Sequence, residues 1–395
     1  MIGKTLPELI QNYGNHLFIT IVKKLKVKFC FGSEKDYKYV KHWDFILEWW
    51  GSNLTSIDNS DGFLDSGELV ETASRFCPDL EQIAVGFRGA NIKKLEENLS
   101  KLRMIKDIKM HAHLNIKHNN SSLIKSLQNL TNLRSLHLYF WSLNKNEIEQ
   151  LNKLIQLEEL TISSVEVEYI NNISNLLGHL RILQISKINT MALSHMAEYC
   201  TKLQKLFILE LIPKNYSNLT PFPYFPKLLY LDIQSCCEIQ VYNFIGDLDK
   251  RYQNQIQTFG MRDLTLYENE MAHISKFRDL KQLFCKKVLS SSFDRLVGMP
   301  LEQLWIKTLT QNAILRLVKE SSSLKDLACR CYNIDKEFLP ILLDTLQAKG
   351  IQADQPFKLN ITIPIEFRTK FVTQLASKPN SNLLNLKLLD IITLY

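Results

Sequence analysis

The features that would mark a membrane or secreted protein are missing from this 395-residue sequence. No stretch approaches the roughly 20 consecutive apolar residues that a membrane-spanning helix needs. The apolar run from Leu17 to Val22 is short for a signal peptide, and no small-residue cleavage site follows it. These absences predict an intracellular protein that does not contact a membrane.

A disulfide framework is also missing, although the chain contains eight cysteines. Their spacing is irregular, and several fall at positions where a free thiol acts as a small apolar side chain. Cys329-x-Cys331 has no matching pair and no nearby histidine, which argues against a zinc site. The cysteines therefore predict reduced thiols in a reducing compartment.

Motifs for catalysis are missing as well, because the chain has no phosphate loop, no dinucleotide glycine pattern and no G-x-S-x-G. A partial calcium loop around Asn59 to Glu68 has Ile57 at its first ligand position, where an oxygen is needed. The cluster of His111, His113 and His118 has no carboxylate or cysteine close in sequence. We therefore expect a non-enzymatic chain without a metal or cofactor.

What dominates the sequence is a recurring phrase, leucine-x-x-leucine-x-leucine, with neighbouring copies 21 to 28 residues apart. Its copies, five regular and six looser, begin at residues 80, 105, 133, 157, 180, 203, 228, 256, 280, 301 and 324. Helical spacing fills the intervals, as at Ile148, Leu151 and Ile155. Such a period predicts an α/β leucine-rich-repeat solenoid, curved, with parallel strands on the concave face and helices on the convex face.

The repeat pattern also predicts how the chain is divided. We expect a short lead-in at 1–24, a capping strand and helix with a degenerate repeat at 25–79, leucine-rich repeats at 80–345, and a degenerate repeat with a cap at 346–395. The capping helix is predicted from Asp36 to Trp50. The segment from Leu383 to Tyr395, which contains Leu386-x-x-Leu389-x-Ile391, is predicted as the last strand. Projecting loops are predicted at 213–226 and 242–255.

Counting from the first leucine of each phrase, positions three, five and seven point away from the core. Position seven forms a cationic column in four successive repeats, and position five places two aromatic residues beside it. These residues are Arg262, Lys286, Lys307 and Arg330 with Phe284 and Trp305. Since aromatic and arginine side chains dominate binding hot spots, the column predicts a site for a protein with an acidic segment. The alternative interpretation is that these residues are charged only because they lie at solvated strand ends.

A second candidate surface lies earlier in the chain. Phe207 and Leu209 are neighbouring outward positions, and His137 and Tyr139 face the same side in an earlier repeat. The net charge of +7 is modest for this length, so nucleic-acid binding through the basic column is a less favoured interpretation. The affinity for nucleic acid would then fall steeply with rising salt concentration.

Two repeat junctions carry a family resemblance. Phe76-Cys77-Pro78-Asp79-Leu80 and Tyr199-Cys200-Thr201-Lys202-Leu203 resemble the cysteine-containing repeats of F-box/leucine-rich-repeat proteins. The resemblance implies the substrate-recognition part of an SCF ubiquitin ligase, with adaptor and cullin subunits as partners. Only about 24 residues precede the first predicted strand, so a complete F-box is not expected within them. The alternative is a leucine-rich-repeat scaffold or inhibitor without a role in ubiquitin transfer.

Overall fold

The computed structural model describes residues 27–28, 44, 47–48, 51–60, 65–87, 91–112, 121–212, 221–236 and 241–389. The chain divides into two compact units. The first comprises Met1–Ser186 and His195–Leu203, and the second comprises Lys187–Ser194 and Gln204–Tyr395. Strand β7 (Ile182–Asn189) and helix α6 (Thr190–Tyr199) contain residues of both units.

Strands and helices alternate along the first unit. Its strands before β7 are β1 Val27–Lys28, β2 Ser56–Asn59, β3 Gln82–Gly86, β4 Asp107–His111, β5 Ser135–Tyr139 and β6 Glu159–Ser164. Its helices are α1 Ser66–Phe76, α2 Ile92–Leu99, α3 Ser121–Ser126, α4 Lys145–Leu151 and α5 Ile170–Leu177. The strands lie side by side in chain order, and the described pairings are parallel.

The second unit repeats this arrangement. Its strands are β8 Lys205–Ile212, β9 Tyr230–Cys236, β10 Thr258–Leu266, β11 Gln282–Val288, β12 Gln303–Thr308, β13 Asp326–Arg330, β14 Phe357–Thr362 and β15 Leu384–Leu388. Its helices are α7 Val241–Tyr252, α8 Glu268–Ile274, α9 Phe293–Val297, α10 Gln311–Glu320, α11 Phe338–Ala348 and α12 Ile365–Ala376. These strands also lie in chain order and pair in parallel.

The register of the strands explains the repeated phrase. Leu283 of β11 lies beside Leu304 of β12, which lies beside Leu327 of β13, and all three are buried. One strand cannot cover such a row, so each repeat is stabilised by the apolar side chains of its neighbours. Strand, turn and helix repeat in both units around these rows, which confirms the predicted α/β leucine-rich-repeat solenoid.

The helices supply the other wall of the core. In α10, Ile314, Leu317 and Val318 are buried on one face, at the spacing of an amphipathic helix. The helix begins after Thr310, whose hydroxyl accepts a hydrogen bond from the backbone N–H of Ala313 at 3.3 Å. Local capping and one apolar stripe therefore suffice to place this helix.

Two local predictions are wrong. The interval 242–255 was predicted as a projecting loop, whereas Val241–Tyr252 is helix α7. The last strand, Leu384–Leu388, lies within the predicted segment, but the predicted register is wrong: Leu386 pairs with Leu359 and so stands at position four rather than position one. The predicted capping helix at 36–50 lies largely outside the described residues.

The described end of the other predicted loop, residues 221–226, packs against helix α7. Phe222 and Phe225 are buried rather than projecting. The Tyr252 hydroxyl donates a hydrogen bond to the carbonyl oxygen of Pro223 at 2.8 Å and accepts one from the backbone N–H of Phe225 at 2.6 Å. Burial raises the pKa of this tyrosine. A buried hydroxyl that satisfies two backbone groups holds the segment against the helix.

Candidate functional site

Outward side chains of strands β8 to β14 form a surface that we call the open face of the second unit. It comprises Phe207, Leu209, Tyr230, Asp232, Gly260, Arg262, Phe284, Lys286, Trp305, Lys307, Ala328, Arg330 and Asn360. Successive side chains of a strand alternate between faces, so these residues lie on the side opposite the buried leucines. Every second-unit residue predicted for partner binding belongs to this surface.

Arg262 is held by an internal ion pair. Its Nη2 donates to Asp232 Oδ2 at 2.7 Å, and its Nε donates to the same oxygen at 2.9 Å. Asp232 is only 5% exposed, which means that its charge is compensated by Arg262 rather than by water. The guanidinium is therefore fixed in position before any partner arrives.

Gly260 makes this geometry possible. It lies between Asp232 and Phe284 in the parallel register of β9, β10 and β11. A Cβ atom at residue 260 would stand 2.3 Å from Asp232 Oδ1 and 3.1 Å from a ring carbon of Phe284. Any larger residue would thus displace the carboxylate from Arg262, and glycine is required here for close approach.

The two predicted aromatic residues contact the same arginine. The guanidinium carbon of Arg262 lies 5.0 Å from the ring centroid of Phe284 and 5.4 Å from that of Trp305. Both distances are within cation–π range. Burial and then the charge of Asp232 raise the pKa of Tyr230 to about 12, so its hydroxyl stays protonated at neutral pH. These groups form a rigid aromatic–cation cluster: Tyr230, Asp232, Arg262, Phe284 and Trp305.

The predicted cationic column exists, but its members differ in environment. Lys286 is exposed, whereas Lys307 is partly buried, with its Nζ 3.9 Å from Asp263 Oδ1. Arg330 was expected to face solvent and is 6% exposed, which corrects that expectation. The register shifts between β12 and β13 so that Arg330 lies beside Thr308. Lys286 is thus the most exposed cation of the column, while Arg262 and Lys307 lie beside Asp232 and Asp263.

Phe207 and Leu209 extend the surface along β8. The rings of Phe207 and Tyr230 are 4.6 Å apart between centroids, and Tyr230 lies 6.4 Å from Phe284. Leu209 is 37% exposed. An aromatic row therefore continues from Phe207 toward the aromatic–cation cluster, and the structure brings these predicted residues together.

The first-unit candidates are placed differently. His137 was predicted as an exposed contact residue, but it is 7% exposed, and its Nδ1 lies 2.8 Å from the Thr161 hydroxyl. Burial lowers its pKa, against the opposing charge of Asp107. Tyr139 is partly exposed and stacks on His111 at 4.5 Å. Tyr139 thus remains accessible to a partner, whereas His137 is buried beneath the surface.

Reasoning from sequence missed Asp232, Tyr230 and Gly260. The available signal was an acidic residue at position five of β9, one repeat before the arginine at position seven of β10. Such a diagonal pair is within reach of long side chains on neighbouring strands.

The metal alternatives gain no support from the described residues. Asp65 caps helix α1, its Oδ1 accepting hydrogen bonds from the backbone N–H groups of Gly67 and Glu68. Within the described ranges, no group of three histidine, cysteine or acidic side chains could hold a metal ion. Asp61, His113 and other members of the two clusters lie outside those ranges.

No protein-family model and no curated protein matches the sequence. Among solved structures, the chain is similar to an internalin, InlF, from Listeria monocytogenes, with 14% identity and a TM-score of 0.34 over 82% of this chain and 95% of that one. No helix in the described parts of the chain is long and apolar enough to cross a membrane.

Proposed function

We propose that the chain is a non-catalytic protein-binding solenoid whose open face in the second unit holds its partner. The observation that carries the proposal is the aromatic–cation cluster, in which Arg262 is fixed by Asp232 and packed against Phe284 and Trp305. Rigid side chains lose little conformational entropy on binding, which favours recognition. Aromatic residues and arginine are also the types that dominate hot spots.

The partner that this surface fits is a protein segment with acidic residues. Lys286 of the column is exposed, so its positive charge faces solvent and an approaching partner. Complementary charge steers association and fixes register more than it adds affinity. The aromatic row supplies the contact area, and Lys286 selects for carboxylates.

A peptide-display experiment tests the proposal on the full chain. Peptides enriched from a random library should contain aspartate or glutamate beside an apolar residue. Phe284→Ala should lower the affinity for an enriched peptide about tenfold or more, the loss expected at a hot spot. Lys286→Glu should weaken binding of that peptide, with the largest loss at low salt. Lys319→Glu, at an exposed position of helix α10, should leave binding unchanged. Equal binding by all three variants would overturn the proposal.

A more specific proposal, that the chain is the substrate receptor of a ubiquitin ligase, rests on the cysteine-containing repeats. Cys77 and Cys200 are buried directly after helices α1 and α6, as that repeat type requires. Burial raises the pKa of each thiol to about 12, which fits a structural role. Both cysteines are free thiols, as expected in a reducing intracellular compartment. Co-purification of adaptor and cullin subunits with the chain supports this role, and a scaffold or inhibitor would bring down its partner without them.

A further inference from the structure

The last described repeat leaves its core open on one side. Among the described strands, β15 pairs only with β14, and Leu386 and Leu388 of β15 lie beside Leu359 and Ile361 of β14. The two β14 residues are fully buried, whereas Leu386 and Leu388 are partly exposed. The apolar row of the second unit therefore reaches β15 with its outer side uncovered.

Helix α12 adds a second apolar stripe beside this edge. Phe371 marks the core-facing side of the helix, since it is buried and its ring stacks on Phe338 of α11 at 6.1 Å between centroids. Ile365 and Val372 are seven residues apart and share another side, on which they are 78% and 48% exposed. The packing of α12 against the core does not account for this second stripe.

The second stripe faces away from α11. Gln374 marks the α11 side of the helix, because its Nε2 donates to the carbonyl oxygen of Lys336 at 2.9 Å. With 3.6 residues per turn, Val372 stands about 160° around the helix from Gln374. Ile365 and Val372 therefore face the open side of the repeat, where the helix of a further repeat would pack.

The charge of this repeat indicates what would cover its apolar end. The outermost repeat of a solenoid needs a polar outer face, which this one lacks. Residues 357–389 contain five lysine or arginine residues and one glutamate, so a second copy of the chain would bring two basic ends together. An apolar segment that carries an acidic residue fits this end better.

We infer that residues 390–395 of the chain cover this end and complete the core. Their sequence is Asp390-Ile391-Ile392-Thr393-Leu394-Tyr395, with one acidic residue and four large apolar ones. They lie outside the described part of the chain, and the inference assigns them to the cap that the sequence predicts at 346–395. Since they are covalently attached, their effective concentration at this end exceeds that of a free partner.

The contacts of Leu389 direct the segment toward α12. The backbone N–H of Leu389 donates to the carbonyl oxygen of Ile361 at 3.0 Å, and its own carbonyl oxygen accepts from Arg368 Nη2 at 2.7 Å. Arg368 is one helical turn from Ile365. The chain therefore leaves β15 beside the exposed stripe, with Asp390 following directly after the residue that Arg368 binds.

The spacing and length of the segment agree with this position. Helix α12 begins three residues after β14 ends, and residue 391 stands at the same interval after β15. The stripe from Ile365 to Val372 is about 10 Å long, whereas six extended residues reach about 20 Å. The segment is thus long enough to cover both residues of the stripe.

Maleimide labelling of the full-length chain tests the cap. Ile365→Cys places a thiol in the stripe, and Ile341→Cys, on the exposed side of α11, is the matched control. The thiol of Ile365→Cys should react at least about tenfold more slowly, because the reagent reaches a covered thiol only when the segment opens. With Ile391, Ile392 and Leu394 all replaced by serine, the two thiols should react at similar rates.

Urea unfolding gives an independent measurement. Ile365→Ser should raise the unfolding equilibrium constant of the native-segment chain about tenfold, the effect of exposing one aliphatic side chain. In the chain with the three serines, the same substitution should change that constant less than about twofold. Ile341→Ser should have the same effect in both chains.

Two results would overturn the cap. Rapid labelling of Ile365→Cys in the chain with its native segment would show that the stripe is open to solvent. Slow labelling that persists with the three serines would exclude residues 390–395 as the cover, and a dimer in sedimentation velocity would then assign the stripe to a second copy. None of these substitutions lies on the open face, so the outcome is independent of the proposed function.

Discussion

The contrast between Asp232 and Asp263 shows how burial decides what a charged residue contributes. Both carboxylates accompany a cation of the column, but Asp232 makes close hydrogen bonds to Arg262 and is nearly fully buried. Asp263 is half exposed and lies 3.9 Å from Lys307. An exposed ion pair contributes little, whereas breaking a buried one leaves a charge without compensation.

Asp232→Asn should therefore destabilise the second unit by about 1–3 kcal/mol, less than for a fully buried pair because Arg262 retains some access to water. Urea unfolding measures this free energy. Asp263→Asn is the control, and its effect should stay below about 1 kcal/mol. Equal losses for the two variants would mean that the ion pair of Arg262 is not what stabilises the cluster.

His137 predicts a pH dependence of stability. Burial lowers its pKa in the folded state, so the unfolded chain binds the proton more readily, and stability falls as pH drops through the histidine range. Between about pH 7.5 and about pH 5.5, the wild type should lose more unfolding free energy than His137→Gln does. A wild-type slope in His137→Gln would show that other groups cause the dependence.

At the scale of strands and helices, the sequence predicted what depends on periodicity. Repeated leucines predicted parallel strands correctly because each row must be buried by its neighbours, as at Leu283 and Leu304. Helix α7 was missed because its charged residues obscured an apolar face that includes Phe244 and Leu248. Contacts between columns, such as Asp232 with Arg262, depend on side-chain direction and could not be read from spacing alone.

The cysteines in strands β11 and β13 give a prediction for the element scale. Cys285 and Cys329 occupy position six, are fully buried, and have thiol pKa values raised by burial. Thiolates are the reactive form, so both should resist maleimide in the native state and react rapidly in urea. Peptide mass spectrometry resolves each site. Rapid native labelling of either residue would show that its strand opens. Cys331 follows the end of β13, its thiol pKa is raised to about 11, and its labelling rate provides the comparison.

At the scale of the whole molecule, stability is distributed along the repeats. Within the second unit, each strand pairs with its neighbours in chain order, so the energetic effect of one repeat is transmitted mainly to the next. This arrangement differs from a globular core, in which a single cavity affects every element at once.

Leu283→Ala should accordingly destabilise the second unit by about 2–5 kcal/mol, the usual effect of a large cavity in a packed core. Hydrogen exchange should accelerate most in β10, β11 and β12, whose residues surround Leu283, and least in β14 and β15. Lys281→Ala, at an exposed residue before β11, is the control and should leave the exchange pattern unchanged. A uniform acceleration from β8 to β15 would instead show that the unit opens as one cooperative block, in which case a partner bound at Trp305 would stabilise every repeat equally.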